Sequence, residues 1–192
     1  MIEWEDWQKP YLHGSIVIWP PDDVREAVNS QRNTYDPVSQ SFCEAHISVT
    51  QPLLRTLERN EWKGLVSLIR EFQAFRIDYG PVKSFLPYPC IWHESRPKNR
   101  ILELRQALHG MGCFNLGLSH TDDFIPHMTI TEGASGPAVN EDLLRQIQAN
   151  STPGSFKCDE LSYVRPDEQF SFSVHGRLTL GENASATSRL TR

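Results

Sequence analysis

The sequence predicts an α+β domain built on antiparallel sheet. Two observations carry that reading. Segments at strand spacing alternate with segments at helix spacing, yet several strand-like segments are separated only by short turns, which antiparallel neighbours allow and parallel ones do not. The order strand, helix, strand, helix, strand pair also occurs before residue 96 and again, loosely, after residue 98, a hint of internal duplication.

In chain order, Ser15-Ile16-Val17-Ile18-Trp19 is a short apolar run stopped by Pro20-Pro21, as in a buried strand. Asp22-Asp23 then precedes Val24, Ala27 and Val28, an acidic start and a spacing that predict a helix. Residues rich in Asn, Pro and Ser read as a loop to about residue 41. Ala45-His46-Ile47-Ser48-Val49-Thr50 alternates like a half-buried strand ahead of Pro52. Leu65, Leu68, Ile69 and Phe72 predict a helix over 61–73. Strands follow at 75–86 and 90–95, across the turn Pro87-Tyr88-Pro89. Ile101, Leu104, Leu108 and Met111 mark a helix closed by Gly110 and Gly112. A strand at 126–131, a helix at 139–149 and strands at 156–164 and 169–180 complete the expected elements.

Composition narrows the function. With 39% hydrophobic and 22% charged residues, the chain reads as an ordinary globular protein large enough to bury a core unaided. Neither a signal peptide nor a membrane-spanning apolar run is apparent, so a cytoplasmic protein with no membrane partner is expected. Cys43, Cys90, Cys113 and Cys158 stand far apart with no CxxC pair, and are expected as buried thiols rather than bridges or zinc ligands. A formal charge of −5 argues against an extended nucleic-acid groove, which needs many Lys and Arg, while leaving room for a substrate with one or two phosphates.

Two segments carry chemistry. His46-Ile47-Ser48-Val49 and His127-Met128-Thr129-Ile130 share one pattern of His, apolar, hydroxyl, apolar. On a strand, alternate side chains share a face, so each histidine lies beside a hydroxyl about 6–7 Å along the chain while the apolar residues anchor the other face. Cleaving a cyclic phosphodiester needs a base for the attacking water and an acid for the departing oxygen. Histidine suits both because its ordinary pKa is near 6.5. Two aimed hydroxyls supply donors for the charge that builds on the phosphate oxygens, with no metal or other cofactor. Zinc normally takes three or four protein ligands, and neither histidine has a companion at ligand spacing.

These motifs resemble those of the 2H phosphoesterase superfamily, in its 2'-5' RNA ligase-like and cyclic phosphodiesterase branches. Phe124-Ile125-Pro126-His127-Met128-Thr129 is similar to the family's aromatic-x-Pro-His-x-Thr segment, and Cys90-Ile91-Trp92 to its Trp-containing strand. The resemblance covers roughly residues 11–181. It implies one bilobal domain over 1–181, with two-lobed antiparallel sheets, pseudo-twofold symmetry, helices on the outer faces and a cleft between the lobes. It implies hydrolysis of a cyclic phosphate ester or an RNA terminus by His46 and His127, with Ser48 and Thr129 as phosphate anchors. Which histidine is base and which acid stays open. Such members often carry a basic residue soon after the second motif. Here Thr131-Glu132 follows, which favours a small ester.

Other residues frame this reading. Trp92, Tyr88 and Tyr11 are candidates to stack on a base, and Arg96 to clamp a phosphate. Arg96, Lys98 and Arg100 form a compact basic cluster whose plainer reading is a solvated helix start. His13 lacks an apolar anchor at Gly14 and reads as a strand-edge residue, and His120 as a loop residue. A monomer is expected, with a disordered tail over 182–192. Two further functions compete: a nucleotide or RNA-end binding module without turnover, and an enzyme joining RNA ends by a 2'-5' bond.

Overall fold

The computed structural model describes residues 4–181, so the tail expected over 182–192 lies outside the described residues. A 3-10 turn at Lys9–His13 leads into strand β1 (Ser15–Ile18), helix α1 (Asp22–Tyr35), the short helix α2 (Pro37–Phe42) and strand β2 (Ile47–Ser48). Helix α3 (Arg59–Arg70), strands β3 (Phe75–Ser84) and β4 (Ile91–Arg96), helix α4 (Lys98–His109) and strand β5 (His127–Thr131) follow. Helix α5 (Glu141–Asn150) and strands β6 (Gly154–Cys158), β7 (Glu160–Pro166) and β8 (Phe172–Thr179) complete the order.

All eight strands belong to one curled antiparallel sheet in the order β6-β3-β4-β5-β2-β1-β7-β8. Two four-stranded halves therefore meet edge to edge at β5 and β2, the strands that hold the two histidine motifs. Helices cover one face. Ile16, Ile18, Ile47, Met128, Leu161 and Leu178 of the sheet pack there with Leu65 and Ile69 of α3 and with Ile101, Leu104 and Leu108 of α4. A smaller cluster, Tyr35, Val82, Ile91, Ile130, Leu143 and Ile147, fixes α1 and α5 to the other half. Burying each Leu or Ile side chain contributes about 1.5–3 kcal/mol, so α3 is held by the pair Leu65 and Ile69 one turn apart.

Four elements differ from the sequence reading. The strand expected over 45–50 is only Ile47–Ser48, so His46 directly precedes it. The expected loop up to residue 41 is helix: α1 continues to Tyr35 and α2 follows. The inward positions there are Asn29, Arg32 and Tyr35, so burial proceeds without an apolar period. The Asp36 side chain accepts from the Ser39 N–H, and Pro37 opens α2 where a missing N–H costs nothing. The strand expected over 156–164 is two strands separated by the single residue Asp159, β6 pairing with β3 in one half and β7 with β1 in the other. That one-residue link draws the two halves together and accounts for the curl. His13, expected on a strand edge, ends the 3-10 turn, because Gly14 at φ 78° breaks the chain before β1.

Candidate functional site

The site follows from one register. Ile47 stands directly opposite Met128 in the antiparallel pair β2–β5, and both side chains are fully buried among the helices. One residue to either side, His46 lies across from Thr129, and Ser48 from His127. Alternation turns these four away from the helices onto the open face, where all are half-buried. Directly opposed residues have Cβ atoms about 4.5–5.5 Å apart. Each imidazole is thus neighbour to the other motif's hydroxyl across the strands and to its own along them.

Both rings are held alike. His46 Nδ1 donates to the Glu44 carbonyl at 2.8 Å, and His127 Nδ1 to the Ile125 carbonyl at 2.6 Å. A carbonyl only accepts, so in the neutral ring the proton sits on Nδ1 and Nε2 offers its lone pair. The Cys43 Sγ lies 3.3 Å from the same Nδ1 of His46. Burial pushes the His46 pKa down to about 4, partly offset by the Glu44 carbonyl and helped by the charges of Arg32 and His127. Burial also lowers that of His127, against the Ile125 carbonyl.

Aromatic side chains wall the rings. Trp19 lies nearly parallel to His46, with centroids 6.3 Å apart and planes at 14°. Trp92, Phe85 and Phe124 surround His127 at 5.4, 5.3 and 6.2 Å. Beyond the second motif, the fully buried Asp36 carboxylate accepts from the hydroxyls of Ser39, Thr131 and Ser135 and from the N–H groups of Ser39, Glu132, Ala134 and Ser135. Burial would raise its pKa, but these donors outweigh that and hold it below the usual carboxylate value. The loop leaving β5 is thereby pinned to the start of α2. Among the described residues no group of three or more His, Cys, Asp or Glu side chains is placed to hold a metal ion. Two imidazoles with free Nε2 atoms and two hydroxyls can move protons at two points and donate to an anion between them.

A family model described as the 2'-5' RNA ligase superfamily matches residues 20–169. This chain belongs to that superfamily. Solved structures place it in the same fold. Escherichia coli LigT complexed with 3'-AMP matches with a TM-score of 0.55 at 16% identity, over 88% of this chain and 98% of LigT. A Thermus thermophilus protein matches with a TM-score of 0.57 at 15% identity, over 88% and 98%. A structure described as a phosphoesterase matches with a TM-score of 0.56 at 19% identity, over 87% and 97%. No curated protein matches the sequence.

Within this superfamily fold, the remaining expected residues fall as follows. Trp92 stands directly opposite Thr129 on β4, is buried, and has no acceptor for its Nε1–H among the described residues. Tyr11 lies in the 3-10 turn and Tyr88 in the β3–β4 turn, 62% exposed. Burial and the nearby Glu132 carboxylate raise the pKa of both phenols, so these three groups are electrostatic neighbours. Arg96 is exposed at the far end of β4, on the strand face that carries Trp92 and Glu94. Lys98 is taken by Glu94, which also holds Lys83, and Arg100 reaches Glu103, as expected of a solvated helix start. His120 is a loop residue beside Asp123. Sequence reasoning missed Trp19, Phe85 and Arg32. Trp19 alone carried a signal, as the last residue of an apolar strand beside the first motif strand.

Proposed function

We propose that this chain hydrolyses a cyclic phosphodiester of the 2',3'-cyclic nucleotide or RNA-terminus type by a metal-independent, paired-histidine mechanism. The observation that carries this reading is the Ile47–Met128 register, which groups His46, Ser48, His127 and Thr129 on one open face. One neutral imidazole takes a proton from water as the water oxygen bonds to phosphorus. The bond from phosphorus to one ribose oxygen breaks, and the other imidazole, entering protonated, gives its proton to that oxygen. The net change is addition of one water to open the ring, with the two histidines exchanging protonation states. Ser48 and Thr129 donate to the non-bridging oxygens, where charge builds.

Several features support a small ester as substrate. The aromatic wall of Trp19, Phe85 and Trp92 suits a base or sugar, with Tyr11, Tyr88 and Arg96 as outer contacts. Glu132 and the net charge of −5 disfavour a long polyanion. LigT, of similar fold, has been solved with 3'-AMP and with phosphate, ligands of the same chemical kind. The four cysteines are free, which supports a reducing compartment such as the cytoplasm, and one chain supplies every group the mechanism needs, so a monomer suffices.

The test is incubation with the four nucleoside 2',3'-cyclic phosphates, with and without EDTA, and identification of products. Ring-opened monophosphate formed equally in EDTA is the expected result. Saturable binding without product overturns hydrolysis in favour of a binding module, and activity lost to EDTA and restored by zinc or manganese overturns the metal-free mechanism.

A further inference from the structure

Arg32, in the last turn of α1, is only 4% exposed. Its Nη1 donates to the Thr129 carbonyl at 2.9 Å, and its Nη2 to the carbonyls of Ser39 and Cys43 at 3.0 Å each. One guanidinium thus joins the approach to the first motif, three residues before His46, with the second motif strand, two residues after His127. No ion pair among the described residues includes Arg32. The closest acid along the chain, Asp36, is engaged by donors from Ser39, Thr131 and the 132–135 loop. The carboxylates of Glu132 and Asp36 act on Arg32 from beyond ion-pair distance, and a buried cation with no carboxylate in direct contact still attracts an anion.

Arg105 of α4 gives the comparison. It is 5% exposed, and its Nη1 donates to the carbonyl of Val49, the last residue of the first motif, at 2.9 Å. Its guanidinium lies over Phe124, 4.2 Å from the ring centroid, and Nη2 holds the His120 and Thr121 carbonyls. Each half therefore sends a buried arginine from the helix after its own strand to the motif strand of the other half. The two differ in what else they reach. Arg105 lies near His109 and Asp122, whereas Arg32 lies near His46, with Asp36 and Glu132 also within its electrostatic reach.

We infer that Arg32 is a positioning residue that locks the two motif strands together and supplies, from the helical layer, the positive charge that draws the substrate phosphate onto the site. This rests on the phosphoesterase reading above. The groups facing His46 are Arg32 from α1, the Cys43 thiol and Glu44 carbonyl from its own segment, Trp19 beyond β1 and His127 from β5. The Glu44 carboxylate is turned away onto Arg25. Arg32 is thus the fixed cation among them.

The test compares Arg32→Met, Arg32→Lys and Arg105→Met by NMR titration of His46, by inorganic phosphate binding and by thermal midpoint. Arg32→Met should raise the His46 titration midpoint and weaken phosphate binding about 10-fold or more, as expected for removing a unit charge within several ångströms of an anion. Arg32→Lys should keep phosphate affinity within about threefold, since the charge stays. Arg105→Met should lower the thermal midpoint and leave the His46 titration unmoved. If Arg32→Met does not fold, Arg32→Gln, neutral but still a donor to carbonyls, carries the same comparison. A neutral variant with unchanged titration and phosphate affinity overturns the inference and leaves the phosphoesterase reading intact. Wild-type protein that neither binds phosphate nor opens a cyclic nucleotide overturns both, whereas turnover by wild type with an indifferent Arg32→Met overturns only this one.

Discussion

His127 donates its Nδ1 proton to the carbonyl of Ile125, two residues back in the chain, and His46 repeats the relation with Glu44. The carbonyl orients each ring and leaves Nε2 for chemistry. Replacing either ring should therefore lower kcat by about 100-fold or more, the usual contribution of a positioned acid or base. Steady-state kinetics and circular dichroism on His46→Ala and His127→Ala check this. Near-normal turnover by either folded variant removes that histidine from the pair.

Ser48 and Thr129 sit across the strands from the opposite imidazoles. If they hold the charge of the transition state, Ser48→Ala and Thr129→Val should each lose about 100-fold, mainly in kcat. A loss confined to KM contradicts that role.

The pH–rate profile should be bell-shaped and centred on the acid side of pH 6.5. One imidazole must be neutral and the other charged, and burial lowers the pKa of both. Both limbs of kcat/KM in the free protein therefore shift downward and belong to the coupled pair. A rate climbing steadily to pH 10 contradicts the mechanism.

Stability should fall with acid in a defined window. Burial holds His46, His93 and His109 at about 4 in the folded protein, below the ordinary 6.5 of the unfolded chain. Between those values the unfolded chain binds more protons, so stability is full above about pH 6.5 and is lost as pH falls toward 4. The slope is at most about 1.4 kcal/mol per pH unit for each group. Urea midpoints at pH 7, 5.5 and 4.5 measure it, and a flat profile across that range defeats the claim.

Asp36→Ala should destabilise the protein by about 3 kcal/mol or more, because buried N–H donors of Ser39, Glu132 and Ser135 lose their acceptor together. Denaturant unfolding gives the number. A cost below 1 kcal/mol shows that water replaces the carboxylate.

The grouping of the four candidate residues was legible in the sequence because strand alternation converts spacing directly into a shared face. His46 with Ser48 and His127 with Thr129 required nothing else, and the antiparallel α+β class followed from the short turns. Other features left no trace. The last turns of α1 bury Asn29 and Arg32, which bond to backbone groups, and Tyr35, which packs in the smaller apolar cluster, so no apolar period marks them. The break at Asp159 is invisible because both flanking segments are extended, and only tertiary pairing sends them to different halves. Trp92 and Tyr88 were expected on a strand and in the turn before it, but burial of the one and exposure of the other are decided by the curl of the sheet.

The chain after residue 153 completes both halves: β6 borders β3 as one edge, and β7 borders β1, where Ser15 meets Val164, with β8 as the other edge. Both halves therefore depend on strands that follow both histidine motifs in the chain. Strand β1 waits for a partner far downstream in the chain, and closing so long a loop is entropically slow. A nascent chain that has passed Ile130 carries both histidine motifs but lacks β6, β7 and β8, so the candidate site is aligned only after these later strands have joined the sheet.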